Sequence, residues 1–252
     1  MSDFDRNVAA RGFGAARTAA IDAGLRAYMI RVYNYMAAGV ALTGVTAWMT
    51  FNAAVVTDAA GKITGLTSFG QTIFSGPLTI VLFLATLGIV FFLSFRIDKL
   101  QASTALFLFM AYAALLGVML SSIFLTYTHG SIARTFFISA ASFGALSLYG
   151  YTTQRDLSPI GSFLIMGLFG LILAMIVNIF LKSSGLDFAI SAIGVLIFAG
   201  LTAWDTQKIK EMYDANDDGT VSGRKTVMGA LTLYLDFINL FLFMLRFLGD
   251  RR

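Results

Sequence analysis

The chain has 252 residues, 58% of them hydrophobic and only 13% charged, with a mean hydropathy of +0.79. Soluble domains carry about 25% charged residues, and a soluble fold of this length could not hide so much apolar surface, so composition alone reads as an integral membrane protein. The absence of cysteine excludes a disulfide framework, a thiolate metal site and a Cys nucleophile, and the net charge of +4 is not gathered into the basic runs that nucleic acid would require.

In chain order, residues 1–31 carry Arg6, Arg11, Arg17, Arg26 and Arg31 together with Asp3, Asp5 and Asp22. No apolar core precedes residue 32, so a cleavable signal peptide is not expected, and the aspartates count against an organelle transit peptide. This stretch reads as a cytoplasmic N-terminal arm, and residues 32–252 as a transmembrane domain.

A spanning helix needs about 20 mostly apolar residues. Seven stretches qualify: Val32–Phe51, Pro77–Phe95, Ala102–Tyr127, Ser131–Tyr151, Ile160–Leu181, Asp187–Trp204 and Val227–Leu248. Their runs are continuous, not alternating in short pieces, which favours helices over a barrel. Pro77 suits a first helical turn, where its missing N–H is no loss. The third and fourth stretches are joined by little more than "THG", which predicts a tight helical hairpin. With the N-terminus inside, the inner segments hold twelve Lys and Arg and the outer ones six, a bias that supports this orientation. Seven crossings leave "RFLGDRR" outside; a last segment that dips in and returns would leave it inside. The G-x-x-x-G spacings Gly61/Gly65 and Gly219/Gly223 fall in loops, so that helix-pairing motif has no support.

Ionisable groups inside spans are costly and need a partner or a water-filled cavity. Asp236 is such a group, about nine positions into the last stretch, "GALTLYLDFINLFLFMLRFLG". Steps of three and four place Gly229, Thr232, Asp236, Asn239, Phe243 and Arg246 on one face of the helix. This small and polar stripe must look into the bundle, so the last helix is expected to be surrounded by the others. Asp236 either marks an ion or proton path or ties helices together by hydrogen bonding; Thr232 and Asn239 are candidate path-lining residues. Asp205, in "GLTAWDTQKIK", ends the sixth stretch on the same inner side. It either meets Asp236 or pairs with Lys208 at i+3 as an interfacial charge. Two carboxylates that meet in low dielectric cannot both ionise cheaply and share a proton. Singly protonated, they hold two helices together; fully charged, they separate or attract a cation. That is a pH-sensitive gate with a hard-oxygen cation site. Arg96, ending the second stretch, either locks an aspartate or reaches to the membrane interface.

At these residues the chain resembles the Bax inhibitor-1 (transmembrane Bax inhibitor motif) family in its bacterial branch. The carriers are "AGLTAWDTQKIKEMYD" (199–214) and "MGALTLYLDFINLFLFMLRFLG" (228–249). The resemblance implies an all-α membrane protein of seven transmembrane helices, six wrapped around a central C-terminal helix. It implies a pH-sensitive calcium leak sensed by an aspartate pair, which maps onto Asp205 and Asp236, with an arginine latch that maps onto Arg96 by position only. Calcium is then a transported ion held in transit, with no resident cofactor, and the partners are membrane lipids, calcium and protons. Some bacterial members are instead linked to a membrane-bound quality-control protease, so an interaction protein with the arm as its handle stays open, as does a proton/calcium exchanger. A bacterial inner membrane is the expected location.

"DANDDGTVSGRK" (214–225) imitates an EF-hand loop, with Asp214, Asn216 and Asp218 at positions 1, 3 and 5 and Gly219 at 6. Position 12, which requires a bidentate Glu, is Lys225, so the stretch reads as a structural or weakly cation-binding turn. His129, the sole histidine, reads as a solvated outer-loop residue, and Asn178 as a tie between two helices. No Ser-His-Asp, metalloprotease or phosphate-loop pattern appears, so an enzyme is not expected.

Overall fold

A computed structural model describes residues 3–59 and 62–252, with side chains described from Asp22 onward. The side chains of Arg6, Arg11 and Arg17, expected in the N-terminal arm, and Gly61 of the first G-x-x-x-G spacing lie outside the described residues. Helix α1 spans Asp3–Ala54, and no break separates the expected arm from the first expected span. An antiparallel hairpin of β1 (Val55–Thr57) and β2 (Ile63–Leu66) follows. Short α2 (Ser68–Ser75) then leads into α3 (Pro77–Arg96). Pro77 does occupy the first turn of α3. After a 3-10 turn at Ile97–Lys99 come α4 (Ala102–Leu120), α5 (Ile123–Thr126), α6 (His129–Thr152), α7 (Ser158–Leu181), α8 (Ser184–Glu211) and α9 (Gly219–Leu248). Thr67, Thr128, Ser183 and Asp218 cap α2, α6, α8 and α9 by accepting backbone N–H bonds, which satisfies donors that a helix start leaves open.

Among the described residues six stretches are long and apolar enough to cross a membrane: Pro77–Lys99, Ala102–Thr126, His129–Thr152, Ser158–Leu181, Ser184–Glu211 and Gly219–Leu248. The remaining expected segment, Val32–Phe51, is diluted by Tyr33, Asn34, Tyr35 and three threonines. Those polar groups serve packing. Thr43 Oγ1 lies 2.9 Å from the Ala113 carbonyl of α4 and 2.6 Å from the Tyr234 hydroxyl of α9. The third segment is two helices, broken where buried Ser121 folds its hydroxyl back onto the Val118 carbonyl.

The C-terminal helix is the centre of the molecule. In its most apolar stretch 67% of residues are buried, against 6% in α7 and 11% in α3. It packs against α1, α4, α6 and α8, while α3 packs on α4 and α7 on α8. The membrane-facing shell is apolar: Phe163, Phe169 and Phe180 on α7 and Phe83 and Phe95 on α3 are all exposed, as lipid contact requires.

One end of the bundle, the basic face, gathers the ends of α3, α6 and α8 and the starts of α4, α7 and α9. The opposite end is the tail face. Helix α9 runs unbroken to Leu248, so the C-terminus lies on the tail face and does not return. There Thr128 N–H donates to the Asp250 carbonyl at 3.0 Å and Arg252 N–H to Thr126 at 2.9 Å, a clasp across the α5–α6 junction.

Candidate functional site: a carboxyl pair on the central helix

Helices α8 and α9 run antiparallel in one of the closest contacts of the bundle. Small residues on each helix admit bulk from the other. A Cβ added at Gly229 would come within 3.0 Å of Ile209, and one at Gly194 within 2.5 Å of the Phe243 ring. Between these two contacts Asp205 of α8 and Asp236 of α9 reach each other, their carboxyls within hydrogen-bonding reach. Of the two alternatives for Asp205, the contact with Asp236 is therefore the one formed. Lys208 turns its ammonium over the Trp204 ring, 5.2 Å from its centre, and acts on Asp205 only through space.

Asp236 is 5% exposed, and its Oδ2 is enclosed with no N–H or hydroxyl donating to it among the described residues. Two ionised carboxylates are acceptors only and repel each other. Holding one proton between them, they make a hydrogen bond and carry a single charge. A pair so placed at the interface of the central helix can hold one proton. Calcium takes six to eight oxygen ligands, and two carboxyls offer at most four. No group of three or more His, Cys, Asp or Glu is assembled for a metal among the described residues.

Toward the tail face aromatic rings gather around α9. Phe237 meets Phe136 and Phe143 edge-on at 5.7 and 5.6 Å, Phe241 meets Phe136 at 6.1 Å, and Phe243 stacks on Phe198 at 5.7 Å. This layer lies between the carboxyls and the tail face. Beyond it, Arg246 pairs with Asp187 of α8, and Arg251 approaches the same carboxylate at 3.8 Å.

The other anticipated residues fare differently. Thr232 and Asn239 are half-buried, and each donates to its own helix, Thr232 to Met228 at 3.0 Å and Asn239 to Leu235 at 2.8 Å. Arg96 ends α3 exposed, and no ion pair joins it to either aspartate among the described residues. His129 is exposed, as expected, and its ring also stands edge-on to Trp48, Phe51 and Phe124 at 5.6–5.7 Å. Asn178 of α7 accepts from the N–H of Ser183, the cap of α8, at 3.0 Å, and so joins the end of α7, where Lys182 turns left-handed, to the start of the next helix.

The EF-hand imitation resolves into capping. Asp214 accepts from Asn216 N–H, which holds its carboxyl below the usual carboxylate range. Asp218 caps α9, which starts at Gly219 and so winds the second half of the twelve-residue stretch into helix. Lys225 closes on Asp217 at 2.6 Å.

Sequence reasoning missed what surrounds Asp205 in its own motif. Thr206 Oγ1 lies 2.9 Å from Ser147 Oγ on α6, which in turn bonds the Tyr33 hydroxyl on α1. Gln207 holds the α6–α7 connection, accepting from Leu157 N–H at 2.9 Å and donating to the Arg155 carbonyl at 2.8 Å. Lys210 donates to the Tyr151 carbonyl at 2.9 Å. The signal was present, since a polar run continuing a greasy helix needs partners.

The family model Bax1-I, described as inhibitor of apoptosis-promoting Bax1, matches residues 25–252. An uncharacterized protein of Rickettsia prowazekii is 51% identical over 92% of both chains. The inner membrane protein YbhL of Escherichia coli K12 is 48% identical, over 91% of this chain and 94% of its own. An uncharacterized protein of Caulobacter vibrioides is 44% identical over the full length of both.

Proposed function

This chain belongs to the Bax inhibitor-1 family, matched over residues 25–252, and from that premise and the geometry of its centre we propose that it is a pH-sensitive calcium leak gated by the Asp205–Asp236 pair. The observation that carries the reading is the meeting of two carboxyls on the central helix, one of them with an enclosed oxygen that no protein donor serves. A shared proton satisfies both groups and holds α8 against α9. A change in proton occupancy changes the net charge of the pair, and with it the attraction for a divalent cation and the contact between the helices. The aromatic layer around Phe237, Phe241 and Phe243 is the barrier that must part for conduction, a hydrophobic constriction of the kind that gates by excluding water.

The basic face is cytoplasmic in this reading, because it carries Arg96, Lys99, Arg155, Lys208, Lys210, Arg224 and Lys225, the bias expected inside. An inner membrane location accords with the name of the Escherichia coli relative.

The test is calcium flux into dye-loaded proteoliposomes over a pH series, with and without an imposed pH gradient. A passive leak moves calcium only down its own gradient and titrates with pH. Accumulation against the calcium gradient, driven by protons, would replace the leak with an exchanger. Background flux at every pH from folded protein would leave the interaction-protein reading instead.

A further inference from the structure

Helices α1 and α6 both lean on α9 but hardly touch each other, and a cleft open to the membrane runs between them. Near the basic face it holds about 540 Å³, bounded by Arg26, Tyr33, Phe143, Gly144, Ser147 and Tyr151. Further in it continues with about 510 Å³ over Ala37, Ala41, Gly44 and Ala140, floored by Phe237 of the central helix. Two glycines face this space, Gly44 on α1 and Gly144 on α6, and a Cβ on either would meet nothing within 4 Å. They differ from Gly117 and Gly150, whose absent side chains make room for a neighbouring helix.

The mouth is polar and cationic. Arg26 is exposed and makes no ion pair among the described residues. Lys210 stands over the ring of Tyr151, which lines the same end, 5.5 Å from the ring centre. From Tyr33, just inside the first apolar stretch, to Gly44 the cleft descends eleven residues of α1, about 16 Å at 1.5 Å per residue, roughly the depth of one leaflet of a 30 Å hydrocarbon core. A cation at the headgroup level above an apolar slot one leaflet deep is complementary to one class of molecule.

We propose that this cleft is a binding site for a membrane phospholipid, its phosphate on Arg26 and one acyl chain lying between α1 and α6 against Phe143. Arginine suits the phosphate through its planar fork of donors. The chain covers apolar surface that the protein's own helices leave open. The site is independent of the carboxyl pair, although the Tyr33–Ser147–Thr206 hydroxyl chain connects its wall to the residue after Asp205.

The experiment uses the full chain reconstituted in phosphatidylglycerol and phosphatidylethanolamine vesicles doped with a phospholipid carrying a diazirine on its acyl chain, with crosslinks mapped by mass spectrometry. Labelling is expected to concentrate on α1 and α6 around Tyr33 and Phe143. Gly144→Phe, whose Cβ would meet nothing within 4 Å and whose ring would occupy the slot, should cut that labelling at least fivefold and leave labelling of α3 and α7 unchanged. Arg26→Gln should lower it several-fold, with both variants checked for folding by thermal unfolding. Labels spread evenly over α3, α7 and α1, unaltered by either substitution, would mean ordinary boundary lipid and overturn the proposal.

Discussion

At the scale of single residues, the site rests on small side chains as much as on acids. Gly194 exists as glycine because the Phe243 ring occupies the place of its side chain. Gly194→Ala should push that ring off Phe198, cost about 1–3 kcal/mol of stability as overpacked cores do, and raise calcium leak by thinning the aromatic layer. Flux equal to wild type, with unfolding shifted as expected, would show that the layer is not the barrier. The residues legible in the sequence were those whose cost is intrinsic: a carboxyl deep in a greasy helix announces itself. Gln207 and Lys210 were not legible, because a polar residue near a helix end is cheap and its partners, Leu157, Arg155 and Tyr151, are some fifty residues away. The neighbours of His129 were illegible for a related reason, since nothing local signals that Trp48 and Phe51 arrive from α1.

At the scale of elements, hydropathy located the spans well because a membrane helix is defined by a continuous run. It misjudged their ends, since α8 continues to Glu211 and α9 begins at Gly219, well beyond the apolar stretches. The extensions are held by capping and by loop contacts that hydropathy does not record, such as Arg224 donating to the Asp98 carbonyl. The 214–225 stretch belongs to this scale. Because helix α9 consumes its second half, restoring the missing EF-hand ligand with Lys225→Glu should produce no calcium binding by calorimetry. It should instead cost about 1–2 kcal/mol by placing like charges where the half-buried Asp217–Lys225 pair stood. The Asn216 N–H bond to Asp214 favours its ionised form. Its contribution is therefore present above the usual carboxylate value near 4 and is lost as pH falls through the lowered one. Calcium binding by the Lys225→Glu variant would contradict this view of the loop.

At the scale of the whole molecule, a polar stripe on one helix sufficed to place that helix at the centre, because no other position keeps Asp236 from lipid. The arrangement around it was less legible. Which helices touch α9 and which stand behind depends on single close approaches, as at Gly117, where a Cβ would meet Thr46 Oγ1 at 1.9 Å, and at Gly150, where it would meet the Ala203 carbonyl at 2.0 Å. No spacing motif flags such isolated glycines. The tail face is fastened by charge: Asp187 receives Arg246 and Arg251. Asp187→Asn should free two cations at once and lower the melting temperature by several degrees in detergent, with little change in the pH dependence of flux. A pH profile displaced as strongly as the melting temperature would tie the tail face to gating.

The central claim is that Asp205 and Asp236 act as one unit, and a double-mutant cycle on flux tests it most directly. Calcium leak in proteoliposomes would be measured across pH for wild type, Asp205→Asn, Asp236→Asn and the double variant, at matched reconstitution. A shared proton predicts that either single substitution flattens the pH profile and that the double adds almost nothing further, the non-additivity of groups in direct contact. Two independent shifts that sum in the double variant, or a profile unchanged by Asp236→Asn, would contradict it.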